Sequence, residues 1–457
     1  MKLYDALNWL TKPRHLWLAV FVYTIVAGVF VQFVLLPLVF PSWHDGYGLL
    51  KGVDGWNFHR VALHLAQAID QHGWSQWTLE PQGQLVSGIA AIFYVLIYPA
   101  PWSVLPINAL LNATSCVCLY LLLARLTEDR LAGIIAAAPF MLFPSNFLWN
   151  TQFHNENYAV PGVVFILFGW ILVSGQNTAR RALSAWQTAG AVALIAIGSI
   201  LLGLVRHYIL TALTALFLVT AIALAAVWLL QGIESREYLT RMMMVLAACA
   251  SMILVVQALA KPEETVASNG SATGNDSGPK ETKALKWSRT IWLPSVVDFQ
   301  LSEIARARRQ FVRTSAPGDT GIDLDVTFRN AGDVLAYSPR ALQIGFLSPF
   351  PSLWFSESEK SAGTAMRAVS AFEMGFVYLA LAGLPIFVWQ RRRQPAVWVI
   401  LSVCVGMLAI YAMSVPNVGA LYRFRYPYLM PLVCLGLAGW ISRTRIGSPD
   451  IKGGKTV

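Results

Sequence analysis

The chain has 457 residues, of which 56% are hydrophobic and only 13% are charged, and its mean hydropathy is positive. This composition is too apolar for a soluble protein of such length, so it predicts an all-α, polytopic membrane protein. The net charge of +10 does not indicate a nucleic-acid partner, because much of it lies in short clusters beside apolar segments. The five cysteines all fall inside apolar segments and predict neither disulfides nor a metal site.

The first apolar segment, residues 16–40, sets the predicted orientation. Lys2, Lys12 and Arg14 precede it, which places the N-terminus in the cytoplasm by the positive-inside rule. The segment is too long for a signal peptide and lacks a small-residue cleavage site. We therefore expect a multi-pass protein of a bacterial inner (plasma) membrane, whose first loop faces the periplasm.

Eleven apolar segments approach the roughly 20 residues that a membrane span needs. They are residues 16–40, 85–98, 104–123, 131–149, 158–173, 183–204, 208–230, 242–260, 369–389, 396–413 and 428–441. Basic residues after the last segment place the C-terminus in the cytoplasm too, so one segment should not cross. Segment 85–98 has only 14 residues and ends in a Pro-Ala-Pro turn, so it is the expected exception. The prediction is 10 to 11 transmembrane helices with amphipathic helices and one long loop on the outer face.

The chain divides into three predicted parts. Residues 1–260 form an N-terminal transmembrane module whose outer loop, residues 41–84, carries the chemistry. Residues 261–368 form the long outer loop, with a flexible Ser/Gly/Asn/Thr linker at 263–279 and an interfacial segment at 337–355. Residues 369–457 form a C-terminal transmembrane module and a cytoplasmic tail.

The first candidate site is the polar run of residues 43–70. A glycine-rich loop carrying Asp45 and Asp54 leads into a helix whose apolar residues recur at helical spacing between 58 and 69. Such a helix, starting beside a membrane span, should lie flat on the bilayer. Asp54 just precedes it, so its carboxylate could either act in catalysis or simply cap the helix. His59 and Arg60 are candidate substrate-binding residues on the same helix.

Two further polar stretches are predicted on the outer face. Residues 152–158 contain His154 and Glu156 and could bind substrate, although a solvated turn between helices is the simpler interpretation. Residues 416–427 alternate arginines with aromatic residues, and the arginine fork suits phosphate oxygens. An aromatic belt with snorkelling cations is the alternative there. The candidate binding residues of this stretch are Tyr422, Arg423 and Arg425.

The order of these parts resembles the GT-C superfamily of integral-membrane glycosyltransferases. The resemblance rests on a first span, an outer loop with Gly52-Val53-Asp54 ahead of a flat helix, six further spans, a long outer loop, and Tyr-Arg-Phe-Arg-Tyr-Pro before the last span. Relatives include protein O-mannosyltransferases and the aminoarabinose transferase of lipid A. In that superfamily an acidic residue of the first outer loop is catalytic, and Asp54 matches it best by position, with Asp45 second. The paired Asp-Glu of the O-mannosyltransferases is absent, so sugar and acceptor stay open.

The expected chemistry is transfer of a sugar from a polyprenyl-phosphate donor to a glycan or protein acceptor. Asp54 would take the proton of the acceptor hydroxyl, and a single displacement would invert the anomeric carbon. Arg423 or Arg425, together with Arg206 or Arg340, would hold the leaving phosphate. No cofactor is expected, and no metal-spaced cluster is visible, although a divalent metal is left open.

Two alternatives stay open at this point. A polysaccharide polymerase or ligase that joins lipid-linked oligosaccharides would share the same layout. A transporter or flippase for a lipid-linked sugar would need charged residues along a path through the bilayer, and the apolar segments hold few beyond Glu373.

Overall fold

The computed structural model describes residues 3–51, 54–174, 185–230, 235–259, 287–314, 320–356 and 361–446. Within these ranges the secondary structure is helical, and β pairing is limited to two isolated bridges, His44 with Leu50 and Gly321 with Asn417. The all-α prediction is confirmed. The predicted linker at 263–279 and the tail after residue 446 lie outside the described residues.

Seventeen α-helices follow one another along the described part of the chain. They are α1 (Leu3–Leu10), α2 (Pro13–Phe30), α3 (Gly55–His72), α4 (Leu85–Leu96), α5 (Leu105–Thr127), α6 (Arg130–Leu142), α7 (Pro144–Asn150), α8 (Glu156–Ser174), α9 (Ala185–Leu230), α10 (Ser235–Leu259), α11 (Ser295–Thr314), α12 (Ala331–Leu347), α13 (Ser361–Ala382), α14 (Leu384–Arg391), α15 (Pro395–Ser414), α16 (Val418–Phe424) and α17 (Tyr426–Ile446). A wider π-helical stretch, Val31–Val39, continues α2.

Seven helices of the described chain are long and apolar enough to cross a membrane, or eight if α6 and α7, bent by 61°, form one span. The polytopic prediction is therefore confirmed. α4 is too short to cross, as expected. Two further helices explain why this count is lower than the predicted 10 to 11. α9 is counted once although it folds back on itself. α17 is not counted, because it starts with Tyr-Pro-Tyr and ends among arginines, which lowers its hydropathy.

Helix α9 reverses direction at Arg206. Its 46 residues would extend about 69 Å if straight, more than twice the thickness of a bilayer core. On α8, a Cβ on Gly169 would lie 2.6 Å from Ile195, while the ring of the next residue, Trp170, stacks on Phe217 at 4.6 Å. In a straight helix Ile195 and Phe217 would be about 33 Å apart. The two halves are therefore antiparallel, and the connection between predicted segments 183–204 and 208–230 is reduced to one residue with non-helical backbone angles.

The helix bundle has two distinct ends. At one end Arg391 contacts Glu128 at 2.7 Å, and the hydroxyl of Tyr120 donates to the carbonyl of Thr11 at 2.6 Å. The other end, called here the site end, carries residues 43–51, 54–60, 151–157, 206 and 415–425. This partition agrees with the predicted grouping of loops. Which end faces the cell exterior stays a prediction.

The described part of the long loop docks on the site end. Arg308 of α11 is buried and donates to the carbonyls of Asp323, Val326 and Met413, the last two at 3.0 Å. Much of the segment predicted to be interfacial is α12, which packs against α15: a Cβ on Gly345 would lie 2.9 Å from a carbonyl of α15.

Candidate functional site

Asp54 immediately precedes α3, whose buried face packs against α4. The helix begins earlier and ends later than the periodic residues alone indicated. The Asp54 carboxylate makes no hydrogen bond to the free N–H groups of the first turn. Its side chain is 61% exposed. The capping interpretation of Asp54 is therefore not supported by the geometry.

The partner of Asp54 comes from the opposite end of the sequence. Nη1 of Arg423 lies 3.4 Å from Oδ2 of Asp54, and the Arg423 side chain is 26% exposed. Arg423 is on α16, where the side chain of Asn417 caps the helix by accepting from the Ala420 N–H at 2.9 Å. A carboxylate and a guanidinium thus meet at the surface of the site end.

The turn at 151–157 is buried, so the interpretation as a solvated turn is wrong. Gln152 is only 1% exposed: its amide accepts from the Leu50 N–H at 2.8 Å and donates to the carbonyl of Gly48 at 3.0 Å. The amide of Gln32 donates to the carbonyl of Thr151 at 2.8 Å. The turn therefore fixes the glycine-rich loop of residues 43–51 against the bundle.

A buried ion pair lies next to this turn. Nη2 of Arg206 donates to Oε1 of Glu156 at 2.6 Å, and both side chains are buried. The Arg206 guanidinium also lies 3.9 Å above the ring of Phe424, the neighbour of Arg423. The pair thus links the break in α9 to the start of α8 and to the end of α16.

His154 sits between the ion pair and the exposed pair. Its Nδ1 is 3.9 Å from Oε2 of Glu156 and has no hydrogen-bond partner among the described residues. Burial lowers the pKa of His154 to about 4; Arg423 acts in the same direction, while Glu156 and Asp54 oppose it. His154 is therefore neutral near pH 7.

Arg425 and Tyr422 point into the bundle. Arg425 is fully buried and donates to the carbonyls of Ile344 and Gly345 at 3.2 and 2.9 Å. Burial lowers the pKa of Arg425 to about 10. The Tyr422 hydroxyl donates to the carboxylate of Glu373. The geometry gives no support to the prediction that these two residues bind substrate, and Arg425 does not snorkel.

The other predicted residues are not gathered at the Asp54 pair by any contact in the described structure. Arg340 makes a bidentate pair with Asp323 at 3.0 and 3.1 Å, and this bonding lowers the pKa of Asp323. Arg60 is exposed and contacts Asn57, whereas His59 is buried. Asp45 is partly exposed, and its carboxylate makes no salt bridge with the residues that the structure describes.

A small cavity lies beside Glu156, between α5, α7 and α8. Four asparagines and a tryptophan contribute to its wall: Asn112, Asn146, Asn150, Asn157 and Trp149. Oδ1 of Asn157 is buried there without a hydrogen-bond partner in the described part of the chain. As to metals, the residues that the structure describes contain no group of three or more His, Cys, Asp or Glu side chains able to hold an ion.

The sequence analysis did not select Gln32, Tyr47 or Trp56, and it included Gln152 only as one member of the polar stretch 152–158. Gln32 could have been noticed as an amide within an otherwise apolar span, and Tyr47 as an aromatic residue between two glycines. The hydrogen-bond partners of Gln152 could not be predicted from its neighbours in the sequence, because they are about 100 positions away.

No protein-family model and no curated protein matches this chain. Among solved structures the chain is similar to the crystal structure of the Archaeoglobus fulgidus oligosaccharyltransferase in the apo form, with 14% sequence identity and a TM-score of 0.44. The similarity covers 94% of this chain and 51% of that one, so this chain spans about half the length of the oligosaccharyltransferase.

Proposed function

We propose that the chain is a glycosyltransferase of the inner membrane that moves a sugar from a polyprenyl-phosphate donor to a glycan or protein acceptor on the outer face. The observation that carries the proposal is the exposed pair of Asp54 and Arg423 at 3.4 Å. An exposed carboxylate beside a partly exposed guanidinium offers a base and a phosphate ligand at one surface point.

The reaction uses both groups. The acceptor oxygen attacks the anomeric carbon while the bond from that carbon to the phosphate oxygen breaks, and the acceptor proton passes to Asp54. Charge develops on the leaving polyprenyl phosphate, where Arg423 stabilises it. A single displacement inverts the anomeric configuration. A ligase that transfers a whole oligosaccharide would use the same step.

Buried groups behind the pair support this role by fixing its geometry. The ion pair of Glu156 and Arg206 holds Phe424, and therefore the end of α16 that carries Arg423. The turn containing Phe153 fixes the other side: a Cβ on Gly55 would lie only 3.3 Å from the Phe153 carbonyl. Rigid support of this kind is what a positioned catalytic pair requires.

The test compares Asp54→Asn with Asp45→Asn, each replacing the native protein in cells. Loss of a general base lowers the rate about 10²- to 10⁴-fold, so Asp54→Asn should make sugar-carrying polyprenyl phosphate accumulate in total lipid extracts measured by mass spectrometry. Asp45→Asn is the matched control and should leave the lipid profile near normal. An unchanged lipid profile in Asp54→Asn, at normal protein level, would refute the proposed role.

A further inference from the structure

Tyr47 adopts a backbone conformation that side-chain-bearing residues rarely occupy. Its φ is +52°, and it lies between Gly46 at +92° and Gly48 at +76°. Glycine tolerates this left-handed region, whereas an aromatic residue there is uncommon. An outlier of this kind, kept by surrounding structure, is a reason to ask what the side chain does.

The loop around Tyr47 is firmly held. The Asp45 N–H donates to the Leu49 carbonyl at 2.9 Å, and the Gly48 N–H donates to Nε2 of His44 at 2.9 Å. The Lys51 N–H donates to the Trp43 carbonyl at 2.7 Å, and Gln152 binds the loop from the bundle side. The structure therefore fixes Tyr47 in place despite its unfavourable backbone angles.

Tyr47 and Trp56 form an exposed aromatic pair. Their rings are 6.1 Å apart at an interplanar angle of 28°, and the side chains are 57% and 38% exposed. His59 lies against both rings, at 4.7 Å from Tyr47 and 5.6 Å from Trp56. His59 is itself buried, and its Nδ1 is 2.7 Å from the hydroxyl of Tyr94. The two rings thus pack on the buried His59 on one side and are exposed to solvent on the other.

We propose that Tyr47 and Trp56 form an aromatic platform that binds the face of a pyranose ring beside Asp54. The C–H face of a pyranose is apolar and packs on aromatic rings, while its hydroxyls stay free for polar groups. Trp56 is two residues from Asp54 on the first turn of α3, so the platform and the carboxylate lie at the same end of this helix. An aromatic belt in lipid headgroups would explain exposure, but it requires neither the left-handed backbone nor the contact with His59.

The experiment measures saturation-transfer NMR from the purified full chain, in lipid nanodiscs, to a panel of methyl glycosides of common hexoses. Tyr47→Gly removes the ring and suits the positive φ, so its melting temperature should equal or exceed that of the wild type. Trp56→Ala removes the second ring, and Trp56→Phe keeps an aromatic face. The matched control is Trp74→Ala, at a residue that is also exposed but lies beyond the C-terminal end of α3.

The expected result is ring-face saturation of at least one glycoside, lost at least five-fold in Tyr47→Gly and Trp56→Ala and retained in Trp56→Phe and Trp74→Ala. Equal saturation in all variants, or none from any glycoside with the wild type, would overturn the platform. The bound sugar can belong to the donor or to the acceptor, and both agree with the proposal. If the matching hexose 1-phosphate displaces the methyl glycoside, the platform binds the donor sugar. If both compounds bind at the same time, the platform binds the acceptor sugar.

The platform takes its substrate class from the proposed function, but the two can fail separately. If Asp54→Asn stops transfer in cells while Tyr47→Gly binds the glycosides normally, the glycosyltransferase stands and the platform falls. If the ring variants lose binding while Asp54→Asn transfers normally, the platform stands and the catalytic proposal falls.

Discussion

Arg423 and Arg425 are two positions apart, yet one contacts an exposed carboxylate while the other is fully buried among backbone carbonyls. α16 ends between them, so their side chains leave the backbone in different directions. A stretch that reads as two equivalent arginines in the sequence therefore contains one residue open to a ligand and one that holds α12 to α17.

Substitution of Arg423 should change activity without changing stability. Arg423→Met removes the cation that would stabilise the leaving phosphate, so transfer should fall about 10²- to 10³-fold. Arg423→Lys keeps the charge but loses the planar fork, so partial activity is expected. Sugar-carrying polyprenyl phosphate in lipid extracts gives the readout. Normal turnover in Arg423→Met would separate this residue from the reaction.

Arg425→Met should instead destabilise the fold. It would leave the buried carbonyl of Gly345 without its donor, at roughly 1–3 kcal/mol, while the Ile344 carbonyl would keep only the Ser348 N–H. The melting temperature in detergent, followed by fluorescence-detected size exclusion, should therefore drop well below that of Arg423→Met, the matched control. Equal melting temperatures for the two variants would show that the burial of Arg425 is not stabilising.

The buried pair of Glu156 and Arg206 is expected to be strongly coupled. Glu156→Gln leaves the Arg206 guanidinium buried without its counter-charge, which costs about 3–5 kcal/mol. Glu156→Gln combined with Arg206→Met removes both charges and should recover most of that loss. A double-mutant cycle of thermal stability measures the coupling. If the loss of stability in the double variant equalled the sum of the losses in Glu156→Gln and Arg206→Met alone, the two residues would not be energetically coupled.

Acid should destabilise the chain through His154. Its folded-state pKa of about 4 lies below the ordinary value of 6.5, so between these values the unfolded chain binds a proton that the folded chain does not. Stability is then full above pH 6.5 and falls as the pH drops towards 4, by about 2 kcal/mol at pH 5. Burial lowers the pKa of His59 to about 4 as well, which adds a loss in the same direction.

The measurement compares melting temperatures at pH 7.5 and pH 5.0 for the wild type and for His154→Gln. The variant cannot take up a proton at this position, so its decrease between the two pH values should be smaller than that of the wild type. An equal decrease in both proteins would show that His154 is not protonated selectively in the unfolded chain.

Much of the fold could be predicted from composition and periodicity. The apolar spans, the short segment now seen as α4, and the amphipathic α3 each follow from a local pattern. The grouping of loops at two ends followed from the basic clusters, because those clusters obey one rule of membrane insertion. The bend between α6 and α7 was not foreseen, although Pro144 at the start of α7 was a visible signal.

The candidate site was only half predictable. Asp54 and Arg423 could each be selected by chemistry, but their contact depends on how helices pack, and no local pattern encodes it. The same limit explains Arg425, whose neighbours on α12 are about 80 positions away. The 152–158 turn and His59 were expected to be accessible, and both are buried in the structure. Burial within a polar stretch cannot be predicted from residue type alone.

The separation of Asp54 and Arg423 by 369 positions bears on biosynthesis. The ribosome releases the first loop long before it makes α16, so a nascent chain that has already inserted most of its helices still lacks the guanidinium. A protein truncated before residue 415 would keep every helix up to α15 and the Asp54 carboxylate, yet it would carry an incomplete pair. Under the proposed function, transfer would begin only when synthesis and insertion of the last helices are finished.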